Sequence, residues 1–198
     1  MKEHVYSYRV FPEQWIDPVD FTSYFDDPSK PLEVDLGCGK GKFLLQRSST
    51  NPDVNFLAID RMLVRIRKID KKLKRRGIEN VRVFRFEGDY TLNYLIPEQS
   101  VNTYYYFFPD PWPKKRHHEN RMFKMRTVDA IHKTLKPGGI LHIATDHMEY
   151  FEEMHALMAA DERFESAPVF FPSEEERTDF ELMFRDTRPT CRCSFRKI

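Results

Sequence analysis

Residues 32–41 read LEVDLGCGKG: a short apolar strand pattern, residues 32–36, that runs into three closely spaced glycines, Gly37, Gly39 and Gly41. Glycines there permit a tight strand-to-helix turn and a close approach of backbone to a ligand. The spacing is not the dinucleotide pattern, because the third glycine comes one residue early. It is not a phosphate loop either, because no Gly-Lys-Ser/Thr follows. Asp35, beside the turn, disfavours a pyrophosphate and suits a ligand that carries an ammonium group. A plain glycine turn with a surface aspartate is the simpler reading.

Moving outward from this turn, strand and helix patterns alternate. Residues 55–60 (NFLAID) read as a second buried strand, 81–86 as a third and 101–108 (VNTYYYFF) as a fourth. The unbroken apolar-aromatic run of the fourth predicts burial on both faces. Residues 140–145 (ILHIAT) read as a fifth, and 168–171 and 191–196 as two weaker strand candidates. Helices are expected from 41, over 63–76, over 121–135 (closed by Lys136-Pro137-Gly138-Gly139) and over 148–159. In the second, Ile66, Ile69 and Leu73 recur at spacings of three and four, and Gly77 ends the pattern. Such alternation predicts an α/β fold with a mainly parallel sheet and helices on both faces. In such folds ligands bind beyond the carboxyl ends of the strands.

At 198 residues the chain has room for one domain with a full core. Residues 31–198 are expected to form it, with residues 1–30 as an extension packing on it. No apolar run approaches the ~18 residues of a membrane span, and no apolar stretch at the start is long enough for a signal peptide. Cys38, Cys191 and Cys193 make no disulfide framework, so a reducing cytoplasm is the expected compartment. Cys191-x-Cys193 offers two metal ligands where a structural zinc needs about four, so no metal is expected. The net charge of +1 hides an asymmetry: residues 61–76 hold nine Lys/Arg and one Asp, residues 111–126 six and one Glu, and residues 149–186 twelve Asp/Glu against three Arg. Basic stretches in a near-neutral chain point to a polyanionic partner or to solvated helix faces.

Two more acids fall at strand ends. Asp60 ends the second strand, where a carboxylate can accept from both hydroxyls of a ribose. Asp89 follows the third, where it could accept from an adenine amine. Each could equally be a helix cap. Together with Asp35 they describe a site for a ribose-adenine ligand with a cationic tail and no phosphate, and S-adenosylmethionine fits that description. Beyond the fourth strand, residues 106–121 read YFFPDPWPKKRHHENR. Prolines stiffen the loop around Asp110. Trp112 offers a face for stacking a base. Lys114, Lys115, Arg116, His117, His118 and Arg121 offer phosphate contacts. Read more simply, Trp112 is a core residue and the cations line a solvated turn.

The glycine turn, Phe108-Pro109-Asp110-Pro111-Trp112-Pro113-Lys114-Lys115-Arg116-His117, Thr145-Asp146 and Thr178-Asp179-Phe180-Glu181 occur in the order and spacing of a known family. Over residues 32–181 the chain resembles the bacterial tRNA (guanine-N7)-methyltransferases. The resemblance implies a Rossmann-like class I methyltransferase with a seven-stranded sheet, S-adenosylmethionine as donor, and a guanine of the tRNA variable loop as acceptor. By motif position it implies Asp35, Gly37, Gly39, Gly41, Asp60, Asp89 and Asp110 for the donor site and Asp110 for catalysis. It implies Lys114, Asp146, Thr178, Asp179, Phe180 and Glu181 for the substrate, and Arg116, His117, His118 and Arg121 for RNA contact. The chain departs from the family at Asp35, often a glutamate, and at Glu119-Asn120, where relatives continue a basic run. Neither a membrane nor DNA is an expected partner; monomer and homodimer both stay open. A class I methyltransferase acting on another substrate and a non-catalytic RNA-binding module are the competing classes.

Overall fold

The computed structural model describes residues 8–184 and 186–198. The first seven residues of the expected extension therefore lie outside the described residues. Seven strands form one sheet: β1 (Leu32–Leu36), β2 (Asn55–Ile59), β3 (Val81–Phe84), β4 (Val101–Phe107), β5 (Leu135–Thr145), β6 (Phe164–Ser166) and β7 (Cys191–Lys197). Their order across the sheet is β3-β2-β1-β4-β5-β7-β6. The first five run parallel, and β7 is antiparallel to both β5 and β6. The order reverses between β1 and β4, so the crevice for a ligand opens beyond those two strand ends.

Helices cover both faces. On one face, α1 (Lys42–Thr50) and α2 (Leu63–Arg76) pack Phe43, Leu44, Ile66, Ile69 and Leu73 against the sheet. After β3 come a single turn, α3 (Gly88–Tyr90), and a π-helical turn over Thr91–Leu95. On the other face, α4 (Met125–Thr134) and α5 (Met148–Ala159) bury Val128, Ile131, Tyr150, Met154 and Met158. The segment before β1 joins the same core through Val10, Val19, Phe21 and Phe25. It also lies along the edge strand, where Val10 N donates to Val83 O and Val83 N to Tyr8 O.

Three expectations about elements need correction. Residues 168–171 are not a strand. Pro168 has no N–H to give to a ladder, and Phe170 turns inward instead, packing on Phe43, Tyr105, Phe107 and His142; the short edge strand is β6, just before it. Residues 121–124 are not helical, because Arg121 is held by other partners and Lys124 is extended (φ −141°). Residues 136–139 do not close a helix but lie within β5, where a register shift opposite Val101–Thr103 and Gly138 at φ +75° absorb them. A further helix, α6 (Asp179–Phe184), had no counterpart in the periodicity.

Candidate active site

A cleft of about 460 Å³ lies at the carboxyl ends of β1 to β4. Leu36 and Gly37, Ile59 and Asp60, Glu87 to Asp89, and Tyr106 to Asp110 line it, so four successive strand ends each contribute. Asp60, Asp89 and Asp110 thus share one cavity.

Of the glycine turn only Gly37 lines the cleft; Asp35, Gly39 and Gly41 lie behind that wall. Gly37 N and Cys38 N both donate to Ile59 O (2.9 and 3.0 Å), which ties the turn to the end of β2. Gly37 sits at φ +91°, and a Cβ there would project into open space. Gly41, at φ +73°, has a different reason to be glycine: a Cβ would come within 2.8 Å of Ile69 Cγ1 on α2.

Asp60 is buried and already engaged. Its Oδ1 accepts from Met62 N (2.7 Å); its Oδ2 accepts from Gly39 N (3.2 Å) and from Arg65 (3.0 Å). It holds Met62, the residue just before α2, and lines the cleft at once; the cap position of α2 is Met62 itself. A carboxylate offers about four acceptor positions, so a diol that needs two must displace Arg65. Asp35 is buried beside it. Burial, and then the charge of Asp60, push its carboxyl up to about 7. Asp89 pairs with Arg126 of α4 and accepts from Asn93 Nδ2.

Asp110 is exposed on the cleft rim. The backbone on either side of it is strained: Phe108 has φ +50° and Trp112 φ +46°, values rare for residues with a side chain. Conformations of this kind persist only where the surroundings over-determine them, and they gather at functional sites. Here Arg121 supplies that hold. It is 3% exposed; its Nε donates to Pro111 O (2.8 Å), one head nitrogen meets Glu153 (2.5 Å), and its head lies over the Tyr150 ring.

A family model described as "Putative methyltransferase" matches residues 29–181. The chain belongs to that family. Curated relatives include the tRNA (guanine-N(7)-)-methyltransferase of Nocardia farcinica, 35% identical over 77% of this chain and 56% of that one. The protein of the same name from Alkalilimnicola ehrlichii is 33% identical over 80% of this chain and 68% of that one. The chain spans between 52% and 65% of the length of five relatives of this name, the Nocardia protein among them. Among solved structures, a SAM dependent methyltransferase from Aquifex aeolicus superposes with a TM-score of 0.59 at 14% identity, over 85% of this chain and 84% of that one. At that identity the likeness speaks to the fold, and the chain has the Rossmann-like architecture.

The chain's other expected site residues divide into three groups. Lys114, Lys115 and Arg116 are exposed on the loop beyond Asp110, with His117 and His118 half-buried behind them. Arg121, expected to contact RNA, is instead buried: its Nε and one head nitrogen are held by Pro111 O and Glu153, which ties the loop beside Asp110 to α5. It also fills the one cluster of metal-ligand type among the described residues, His118 with Glu149 and Glu153, where its guanidinium already supplies the cation. Asp146 and the residues of α6 do not line the cleft but flank it. Asp146 pairs with Arg188 (3.0 Å). Thr178 Oγ1 accepts from Glu181 N (3.1 Å), and Phe180 stacks on Phe108 (6.3 Å between centroids). Glu181 is buried and pairs with Arg192 of β7 (2.6 Å), while its second oxygen has no partner.

Arg61, Arg65, Glu119, Asn120, Lys124 and Arg126 line the cleft and were not assigned to it from the sequence. Arg126 could have been suspected from its charge opposite Asp89. Glu119 and Asn120 were read only as a break in a basic run.

Proposed function

We propose that this chain transfers a methyl group from S-adenosylmethionine to N7 of a guanine in the variable loop of tRNA, in the cytoplasm. The observation that carries this is the single cleft at the sheet's switch point, which gathers Gly37, Asp60, Asp89 and Asp110 in a chain related to tRNA (guanine-N(7)-)-methyltransferases.

The residues fit the donor. The cleft volume falls in the range of ligand sites, roughly 300–1,000 Å³. A Cβ at Gly37 would intrude where a ligand would lie. Among the described residues no cation pairs with the Asp35 carboxyl, and an ammonium group would compensate its burial. Asp60 would accept from ribose hydroxyls, and Asp89 with Glu87 stands where a base amine would be read. When bound, S-adenosylmethionine supplies an electrophilic methyl group on a cationic sulfur.

Guanine N7 carries an in-plane lone pair and needs no proton removed before it reacts. Asp110 is therefore not required as a general base. Its carboxylate can accept from the N–H edge of the purine and so orient the ring. It also stabilises positive charge as that charge arrives on the base. Holding N7 in line is the larger contribution, and the strained loop pinned by Arg121 is the device for it. Phe108 and Phe180 present stacked aromatic faces beside Asp110 for the base itself.

The deciding experiment is incubation of the purified chain with unmodified tRNA and labelled donor, followed by mapping of N7-methylguanine by strand cleavage. Label at a variable-loop guanine supports the reading. Donor binding without label in tRNA would favour a methyltransferase of another substrate, and no donor binding would favour the RNA-binding module.

A further inference from the structure

Helix α2 carries eight Lys/Arg and one Asp over Leu63–Arg76. Its apolar stripe of Ile66, Ile69 and Leu73 is fully buried, so the cations are pressed onto the outer face. Some of them are occupied: Arg65 pairs with Asp60, and Lys72 Nζ donates to Lys40 O (3.2 Å). The only acid of the helix, Asp70, accepts from Tyr8 N (3.0 Å). Arg67, Lys68, Lys71 and Arg75 are exposed, and no carboxylate lies within ion-pair distance of them among the described residues.

Lys68, Lys71 and Arg75 follow one another at spacings of three and four, so they form one row on the helix surface. At 1.5 Å rise per residue the row is about 10 Å long, on a helix of about 21 Å. Like charges at these spacings oppose helix formation by a few tenths of a kcal/mol per pair. Among the described residues no carboxylate pairs with Lys68, Lys71 or Arg75 to offset that repulsion. Only the last turn, where cations meet the carbonyl end of the helix, is favourable on its own.

The row is also well placed. Arg61, which precedes α2, lines the cleft, so the positive charge begins at the site and runs away from it along the outer face. On the other side of the cleft stand Lys114, Lys115 and Arg116. The cleft is thus bracketed by two basic surfaces carried on separate elements, one helical and one on the loop beyond β4.

We propose that the outer face of α2, through Lys68, Lys71 and Arg75 with Arg67 beside them, is a docking surface for the phosphate backbone of the RNA whose base enters the cleft. This rests on the tRNA reading given above. A polyanion with regularly spaced charges is the partner that neutralises a row of cations, whereas a small anion needs a closed pocket that the helix face does not have.

The test compares the wild-type protein with a Lys68→Ala/Lys71→Ala/Arg75→Ala variant. Unmodified tRNA is the probe, and binding is measured at several salt concentrations. Each phosphate contact adds about 0.7–0.9 to the slope of log affinity against log salt. Loss of three contacts should lower the slope by about two units, and tRNA affinity at 0.1 M salt by on the order of 100-fold. Thermal stability should be equal or higher, because repulsion is relieved, and calorimetry should show unchanged donor affinity. A Lys114→Ala/Lys115→Ala/Arg116→Ala variant serves as the comparison. If the helix variant keeps the wild-type slope while the loop variant loses it, the docking surface is not on α2. Methyl transfer by the wild-type protein reports separately on the catalytic reading: tRNA bound with a steep slope through α2 but not methylated overturns that reading and leaves this one standing.

Discussion

Asp35→Asn should change stability and donor binding in opposite directions. The Asp35 carboxyl is pushed from 3.8 to about 7, first by burial and then by the charge of Asp60. A group whose folded value is raised contributes stability that is fully present below its unfolded value and lost as pH rises through the folded one. Ligand-free protein should therefore lose stability from about pH 4 to pH 7 on account of this residue. Three units correspond to about 4 kcal/mol as a ceiling; relaxation of the cleft floor and the cost of burying an amide bring the expected gain of Asp35→Asn to about 1–3 kcal/mol at pH 8. For a chain of this size that is roughly 3–10 °C in melting temperature. Thermal melts of both proteins at half-unit steps from pH 5 to pH 8, without donor, provide the measurement. The gap between the curves should open with rising pH and level off above 7. The same variant should bind S-adenosylmethionine about 10–100-fold more weakly, through loss of one charge-assisted contact. Parallel melting curves across the whole range would show that Asp35 titrates normally, and the argument from burial would fail.

Other outcomes follow from the same geometry. Asp110→Asn should lower turnover by on the order of 100-fold, as for loss of a group that stabilises developing charge, with tRNA affinity little changed; near-normal turnover would remove the carboxylate from the mechanism. Arg121→Ala should lower both melting temperature and turnover because the loop around Asp110 loses its anchor, while the salt dependence of tRNA binding stays at the wild-type slope; a flattened slope would return Arg121 to the RNA surface. Arg65→Ala should tighten donor binding by up to about fivefold, since a half-exposed pair is worth about 0–1 kcal/mol and its loss frees Asp60 for the ribose. Weaker donor binding in that variant, measured by calorimetry, would mean that Arg65 touches the donor directly.

The strands that build the cleft were legible because their burial on both faces leaves unbroken apolar runs: 32–36 and the starts of β2, β3 and β4 match the structure. Helices α2 and α5 were legible from periodicity and a terminal glycine or strand boundary. Other features depend on tertiary partners. Arg121 sits in a basic run that reads as solvent-exposed, yet Glu149 and Glu153, one helical turn apart on α5, draw it inside with Tyr150. That pair of acids was a readable signal, but only once α5 was known to pack behind the loop. The edge strand β6 has three residues and no alternation to detect, and the apolar run at 168–171 imitated a strand although only Phe170 packs on the sheet face while Phe171 stays exposed. The six-residue α6 is too short for a stripe. Strain at Phe108 and Trp112 leaves no trace in residue type at all.

Ile69 pressed against Gly41 joins two parts of the molecule that would otherwise be independent. The same helix touches the glycine turn at two places, where Ile69 fills the space of a Gly41 side chain and Lys72 holds Lys40 O, and it reaches the end of β2 through Arg65 and Asp60. A macromolecule that grips the outer face of α2 therefore leans on the donor loop through the inner face, across the width of one helix. Binding free energies linked in this way are reciprocal: whatever factor RNA applies to donor affinity, the donor applies to RNA affinity. If RNA docks on α2 as proposed, the size of that factor depends on how closely the helix packs on one glycine.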